Sequence, residues 1–177
     1  NIIKLSKEIS KYINKGDRCL IISENRPEWM IADLSIMLSG GVTVPAYTTY
    51  VERDYEYIID NCEPSVVFVS DNIQYEKIKT IISKKKFIKK VIIFDSTDNL
   101  NTDFNLDIND IFKNQNYEVK NFFDLTINRK DMACIIYTSG TQGNPKGVML
   151  SHGGILNNCE GAYDLLRVFI SNRPKFL

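Results

Sequence analysis

Between Ala133 and His152 the chain reads ACIIYTSGTQGNPKGVMLSH, and most of its capacity for chemistry lies there. An apolar run from Ala133 to Tyr137 empties into hydroxyls and glycines, then Lys146, then a second apolar run from Val148 to Leu150. Thr138, Ser139 and Thr141 offer hydroxyl donors, Gln142 an amide donor, and Lys146 a mobile positive charge. Gly140, Gly143 and Gly147 let backbone amides approach an anion without a Cβ in the way. A loop with these donors can wrap a polyphosphate.

The spacing departs from the common nucleotide P-loop, in which Gly, four residues and Gly-Lys-Ser/Thr open a helix. Here Pro145 precedes Lys146 and Gly147 follows it. Those two departures disfavour a P-loop kinase or ATPase. Pro145 biases Asn144 toward extended backbone, and Gly147 leads into Val-Met-Leu, so the loop is expected to join two strands. His152 is the single histidine; beside a helix cap at Ser151 its expected role is local and structural. Cys19, Cys62, Cys134 and Cys159 are widely spaced, and one histidine cannot complete a Cys/His zinc site with them. Three of the four sit in apolar surroundings and are read as small hydrophobes in a reducing compartment. Trp29 and Tyr47 are assigned to packing.

Positioning the loop requires a scaffold, and the upstream pattern supplies one. Leu5, Ile9, Tyr12 and Ile13 recur at helical spacing, followed by a strand at Cys19 to Ser23. Pro27 and Glu28 suit a first helical turn, and Trp29, Met30, Asp33, Leu34, Met37 and Leu38 follow at helical period until Gly40 and Gly41. Strands at Val42 to Ala46, Ser65 to Ser70 and Val91 to Asp95 alternate with helices at Arg53 to Cys62 and Gln74 to Lys84. Apolar, β-branched strands separated by amphipathic helices predict an α/β fold: a mainly parallel sheet with helices on both faces and the phosphate loop between two strands. Residues 1–95 are read as βα units, 96–130 as a polar connection with a short helix near Asp107 to Phe112, and 131–177 as the loop hairpin and a following helix. Lys84 to Lys86, with Lys89 and Lys90, read as a solvated face.

Composition narrows the function classes. Of 177 residues 44% are hydrophobic, enough for one core, and the 22 basic and 22 acidic side chains cancel. No global basic field gathers nucleic acid or an anionic membrane, so phosphate binding must be local. The longest apolar stretches have strand length, far below the roughly 20 residues of a transmembrane helix.

The run YTSGTQGNPKGV resembles the signature of the adenylate-forming superfamily (acyl-CoA synthetases, peptide-synthetase adenylation domains and luciferases), roughly Tyr-Thr-Ser-Gly-Thr-Thr-Gly-x-Pro-Lys-Gly-Val. Gln142 departs from it where Thr or Ser is usual. GDRCLIISENRPEWMIADLSIMLSGGVTVPAYTTY is similar to the opening segment of that family, and YIIDNCEPSVVFVSD to its next strand unit. The Pro-Ala-Tyr-Thr-Thr stretch is most similar to the long-chain fatty acid subgroup.

The resemblance implies an incomplete N-terminal domain of an acid-CoA ligase. Its substrates would be a small-molecule carboxylate, ATP with Mg2+, and CoA, with no nucleic acid partner. Thr138, Ser139, Gly140, Thr141, Gln142, Gly143 and Lys146 would hold the β- and γ-phosphates, and Lys146 would stabilise the departing pyrophosphate. The adenine, ribose and magnesium groups and the lysine of a mobile C-terminal domain are expected beyond Leu177, so this stretch alone is expected to be inactive. The expected location is intracellular, in the cytoplasm or on the cytoplasmic face of a membrane, where the full-length protein could associate peripherally. The alternative is a non-catalytic nucleotide- or acyl-binding module, to which Gln142 points.

Overall fold

The computed structural model describes residues 1–96, 102–113, 126–138 and 145–167. In chain order its elements are α1 (Ile2–Ile9), β1 (Arg18–Ile22), α2 (Pro27–Leu38), β2 (Val42–Ala46), α3 (Glu52–Cys62), β3 (Val66–Asp71), α4 (Asn72–Ile82) and β4 (Lys90–Asp95). There follow β5 (Asn105–Asp107), α5 (Ile108–Lys113), β6 (Met132–Thr138), β7 (Lys146–Ser151) and α6 (His152–Leu166). The strands form one sheet in the order β5-β4-β3-β1-β2-β6-β7. Every pairing is parallel except that of β6 with β7.

The central strands are nearly continuous apolar runs because both their faces are covered. Successive side chains go to opposite sides. Leu20, Ile22, Val67, Val69, Val91 and Ile93 join α3 and α4 in one core cluster. Cys19, Ile21, Val66, Phe68, Ile92 and Phe94 join α1, α2 and α5 in the other. The predicted α/β architecture is therefore the observed one, and the strands fall within a residue or two of the predicted spans.

Four local expectations are corrected. In α2 the buried residues are Ala32, Ser35 and Ile36, whereas Met30 and Leu34 are 54% and 41% exposed. The helix is apolar nearly all round, so periodicity could not select its face, and α1 selects it through small residues. Ser6 Oγ donates to the Ser35 carbonyl at 3.0 Å, Ser35 Oγ to the Ile2 carbonyl at 3.1 Å, and Ser39 Oγ to the Ser6 carbonyl at 2.9 Å. Lys90 is not solvated but 5% exposed. Its ammonium donates to the Asp103 carbonyl and lies 5.0 Å from the centre of the Tyr12 ring. Strand β5, Asn-Leu-Asp, lies inside the predicted polar connection, being too short and polar to show alternation. Tyr47 is 69% exposed rather than packed in the core.

Gly40 turns the chain out of α2 with φ +76°, and Gly41 then passes too close to the core for any side chain. A Cβ at Gly41 would stand 2.9 Å from both Ile13 Cδ1 and Ile36 Cγ2, and 3.3 Å from the Ile36 carbonyl oxygen. Gly41→Ala is expected to destabilise the fold by about 1–3 kcal/mol through overpacking. Urea titration measures it, and an unchanged midpoint would show that this contact yields freely.

Candidate functional site

The loop singled out in the sequence springs from the hairpin of β6 and β7. Strand β6 is tied to the sheet by its parallel pairing with β2, Thr43 beside Cys134, and β7 runs back antiparallel as the sheet edge. The strand–loop–strand expectation holds, and a helix does not follow Lys146. Opposite one another stand Ile136 and Val148, Tyr137 and Gly147, and Thr138 and Lys146. Alternation sets their directions. Tyr137 enters the cluster formed with α3 and Ile135 packs against it, so Ile136 and Thr138 take the other face. Thr138 and Lys146 are both exposed. The structure thus brings a hydroxyl and an ammonium group together where the loop begins and ends. Ser139, Gly140, Thr141, Gln142 and Gly143 lie outside the described residues.

Behind this pair the hairpin is fastened to α3. Tyr137 is 5% exposed, and burial pushes its phenol well above the usual range, so it stays protonated and donates to Asn61 Oδ1. One helical turn earlier, Tyr57 Oη donates to the Pro145 carbonyl at 3.0 Å. Sequence reasoning singles out neither Tyr57 nor Asn61. Their spacing of four on a helix marks them as neighbours, but only the fold shows what they face.

Gly147 has a packing reason in addition to the backbone approach to an anion that the sequence suggests. A Cβ there would come 2.8 Å from Ile135 Cγ2 and 3.4 Å from Tyr137 Cζ. The glycine leaves room for the side chains that seat β6 against α3.

At the carboxyl ends of β1, β2 and β6 lies a cleft of about 160 Å³, bordered by Ser23, Asn25, Trp29, Pro45, Tyr47 and Tyr137. Open α/β sheets bind ligands outside the carboxyl ends of their strands. Trp29 combines this border position with partial packing on the core cluster of α1 and α2, and Tyr47 meets Tyr50 edge to face at 5.4 Å. Their position after strand ends is the signal in the sequence that a packing assignment overlooks.

His152 follows the other end of β7, six residues on from Lys146 and therefore roughly 20 Å away along the strand. Ser151 caps α6 as expected, accepting from the Gly154 amide at 3.1 Å, and the His152 amide donates to the Asp131 carbonyl at 3.0 Å. A separate cavity of about 320 Å³ includes His152, Lys15 and Asp131 in its wall. The Asn128 amide, followed by Lys15 at 2.7 Å, holds the Asp131 carboxyl below its usual range. The structure does not bring His152 to Thr138 or Lys146. Cys19, Cys62 and Cys134 are buried and Cys159 is exposed; burial pushes the Cys62 thiol up to about 12. Among the described residues no group of three His, Cys, Asp or Glu side chains could hold a metal ion, and no helix is long and apolar enough to cross a membrane.

A mainly parallel sheet with helices on both faces and an antiparallel loop hairpin at one edge is the fold of adenylate-forming enzymes. The chain belongs to the AMP-binding enzyme family, which matches residues 9–174. It is 33% identical over 172 residues to long chain acyl-CoA synthetase 3 of Arabidopsis thaliana, covering 94% of this chain and 26% of that protein. It is 31% identical over 159 residues to fatty acyl-CoA synthetase A of Dictyostelium discoideum, covering 85% and 23%. Its fold is similar to that of ATP-bound MatB from Rhodopseudomonas palustris, with TM-score 0.74 and 24% identity over 94% of this chain and 31% of that one. The luciferase-like enzyme of the mealworm Zophobas morio gives TM-score 0.77 at 20% identity, over 92% and 37%. The chain thus spans about a quarter of the length of the two synthetases.

The packing assigned to Gly147 is testable by Gly147→Val. The added side chain should force Ile135 or Tyr137 aside and cost about 1–3 kcal/mol. A urea midpoint equal to that of the parent protein would show that the hairpin has room to spare.

Proposed function

We propose that the full-length protein activates a carboxylic acid, of the fatty acid class, to an acyl-adenylate at the expense of ATP and then forms its thioester with CoA. The carboxylate attacks the α-phosphate, pyrophosphate leaves, and the CoA thiol displaces AMP. The observation that carries this reading is the exposed pair of Thr138 and Lys146, facing one another across the hairpin in a chain of the AMP-binding enzyme family. The naming of its relatives as long-chain and fatty acyl-CoA synthetases supports the substrate class and CoA as acceptor.

In this reading the 1–177 stretch is part of the large N-terminal domain and supplies the phosphate loop. Thr138, Ser139, Gly140, Thr141, Gln142 and Gly143 hold the β- and γ-phosphates by hydroxyl, amide and backbone donors. Lys146 adds a charge-assisted contact that strengthens as pyrophosphate gains charge, so it acts in the transition state more than in the ground state. The donors at hand, a hydroxyl and an ammonium group, fit a phosphate. Mg2+ accompanies ATP, and its ligands are assigned to the rest of the protein, as are the adenine and ribose contacts. The substrate carboxylate is itself the nucleophile, so no activated serine or cysteine is required, in keeping with the raised thiols of Cys19 and Cys62.

The full-length protein should catalyse carboxylate-dependent exchange of labelled pyrophosphate into ATP, with fatty acids preferred over aryl and amino acids in a substrate panel. Absence of exchange with every acid would favour a non-catalytic binding module, and preference for an amino acid would overturn the CoA ligase assignment. Lys146→Ala should cost about 1.5–3 kcal/mol of transition-state stabilisation, on the order of tenfold to a hundredfold in adenylation. Because Lys146 is exposed, stability should change by no more than about 0.5 kcal/mol. Unchanged kinetics in the folded variant would refute its role.

A further inference from the structure

We propose that α3 is the positioning element of the phosphate loop, and that Tyr57 and Asn61 are its positioning residues. This rests on the phosphate-binding reading of Lys146 and Thr138 and deepens it. The two residues are four apart on one helix and therefore share a face. Each fastens one side of the hairpin across a long stretch of sequence: Asn61 accepts from the Tyr137 hydroxyl, and Tyr57 donates to the Pro145 carbonyl at 3.0 Å.

The anchored residues are the immediate neighbours of the two proposed phosphate ligands. Tyr137 precedes Thr138, and Pro145 precedes Lys146. In an extended chain, holding residue 137 toward α3 obliges residue 138 to face the opposite side. Fixing the Pro145 carbonyl fixes the plane of the peptide that leads into Lys146, and with it the direction from which the lysine side chain departs. The hydroxyl and the ammonium group are thereby set relative to one another by a helix that supplies none of the proposed phosphate ligands. That helix is held rigidly, because Tyr55, Ile58, Ile59 and Cys62 bury its other stripe in the core. The Tyr57 ring also packs against that cluster, so its hydroxyl is aimed rather than free to sample solvent. A lysine placed in advance contributes more to transition-state stabilisation than one that must be ordered during the reaction.

The test uses the full-length protein with Tyr57→Phe, which keeps the ring and removes the donor, and Asn61→Leu, which removes the acceptor. Asn61→Asp keeps an acceptor oxygen and serves as the rescue. Pyrophosphate exchange is measured for kcat and for KM toward Mg-ATP and the carboxylate, beside thermal midpoints and with Lys146→Ala in parallel. Tyr57→Phe and Asn61→Leu should each lower kcat/KM for Mg-ATP by about threefold to tenfold, the range expected for one modest hydrogen bond. The carboxylate KM and the midpoint should stay near the parent values, and Asn61→Asp should recover most of the loss. The proposal is overturned if both variants keep parental Mg-ATP kinetics. It is equally overturned if losses fall alike on both substrates in step with a collapse of the midpoint. Lys146→Ala separates the two levels: a slowed Lys146→Ala beside unaffected Tyr57→Phe and Asn61→Leu removes only the role of α3, whereas an unaffected Lys146→Ala removes the phosphate reading and this inference with it.

Discussion

The structure depends on one constraint, the alternation of side chains along strands whose two faces are not equally covered. In β1, β3 and β4 both faces meet helices, and successive residues go to separate apolar clusters. At β6 this symmetry breaks. Tyr137 still reaches the side of α3, but Ile136 and Thr138 emerge on a face that the described residues leave partly uncovered, Ile136 being 40% exposed. The same strand thus sends alternate residues to the anchorage and to the exposed face that carries the proposed phosphate contact, and a shift of one residue in register would exchange the two sets.

The antiparallel return of β7 places the residues that follow the loop opposite those that precede it. In a parallel arrangement the two would be separated by a crossover of a dozen or more residues. In the hairpin Thr138 and Lys146 pair directly, and Gly147 makes room for the side chains that fasten the opposite strand. In the proposed role charge acts locally: with balanced acids and bases over the chain, an anion would be drawn by this lysine and these donors rather than by a general field.

Polar contacts inside the fold define geometry more than they add stability. The serine contacts of α1 and α2 let the helices approach closely, and the buried Lys90 is tolerated because a carbonyl and an aromatic face receive its ammonium group. Such arrangements leave a weak trace in sequence, since a serine or lysine written in isolation reads as surface.

The chain alone determined its α/β class, the order of helices and strands through β4, the strand–loop–strand context of Lys146 and the helix cap at Ser151. Each follows from local periodicity, from proline and glycine geometry, or from hydroxyl capping, which act over a few residues. The family was also legible, because the loop needs particular residue types in a fixed order. Tertiary structure alone decided which stripe of α2 is buried, that Lys90 lies inside, that Asn105 to Asp107 pair as a strand, and that Tyr47 stands at a cleft. It also decided that His152 borders a cavity apart from Thr138 and Lys146, and that Tyr57 and Asn61 hold the residues beside that pair. These are contacts between residues far apart in sequence: Tyr57 and Pro145 are separated by 88 positions, Asn61 and Tyr137 by 76. No local pattern encodes such a meeting, because the partner is supplied by how α3 packs on one face of the sheet and not by the residues on either side.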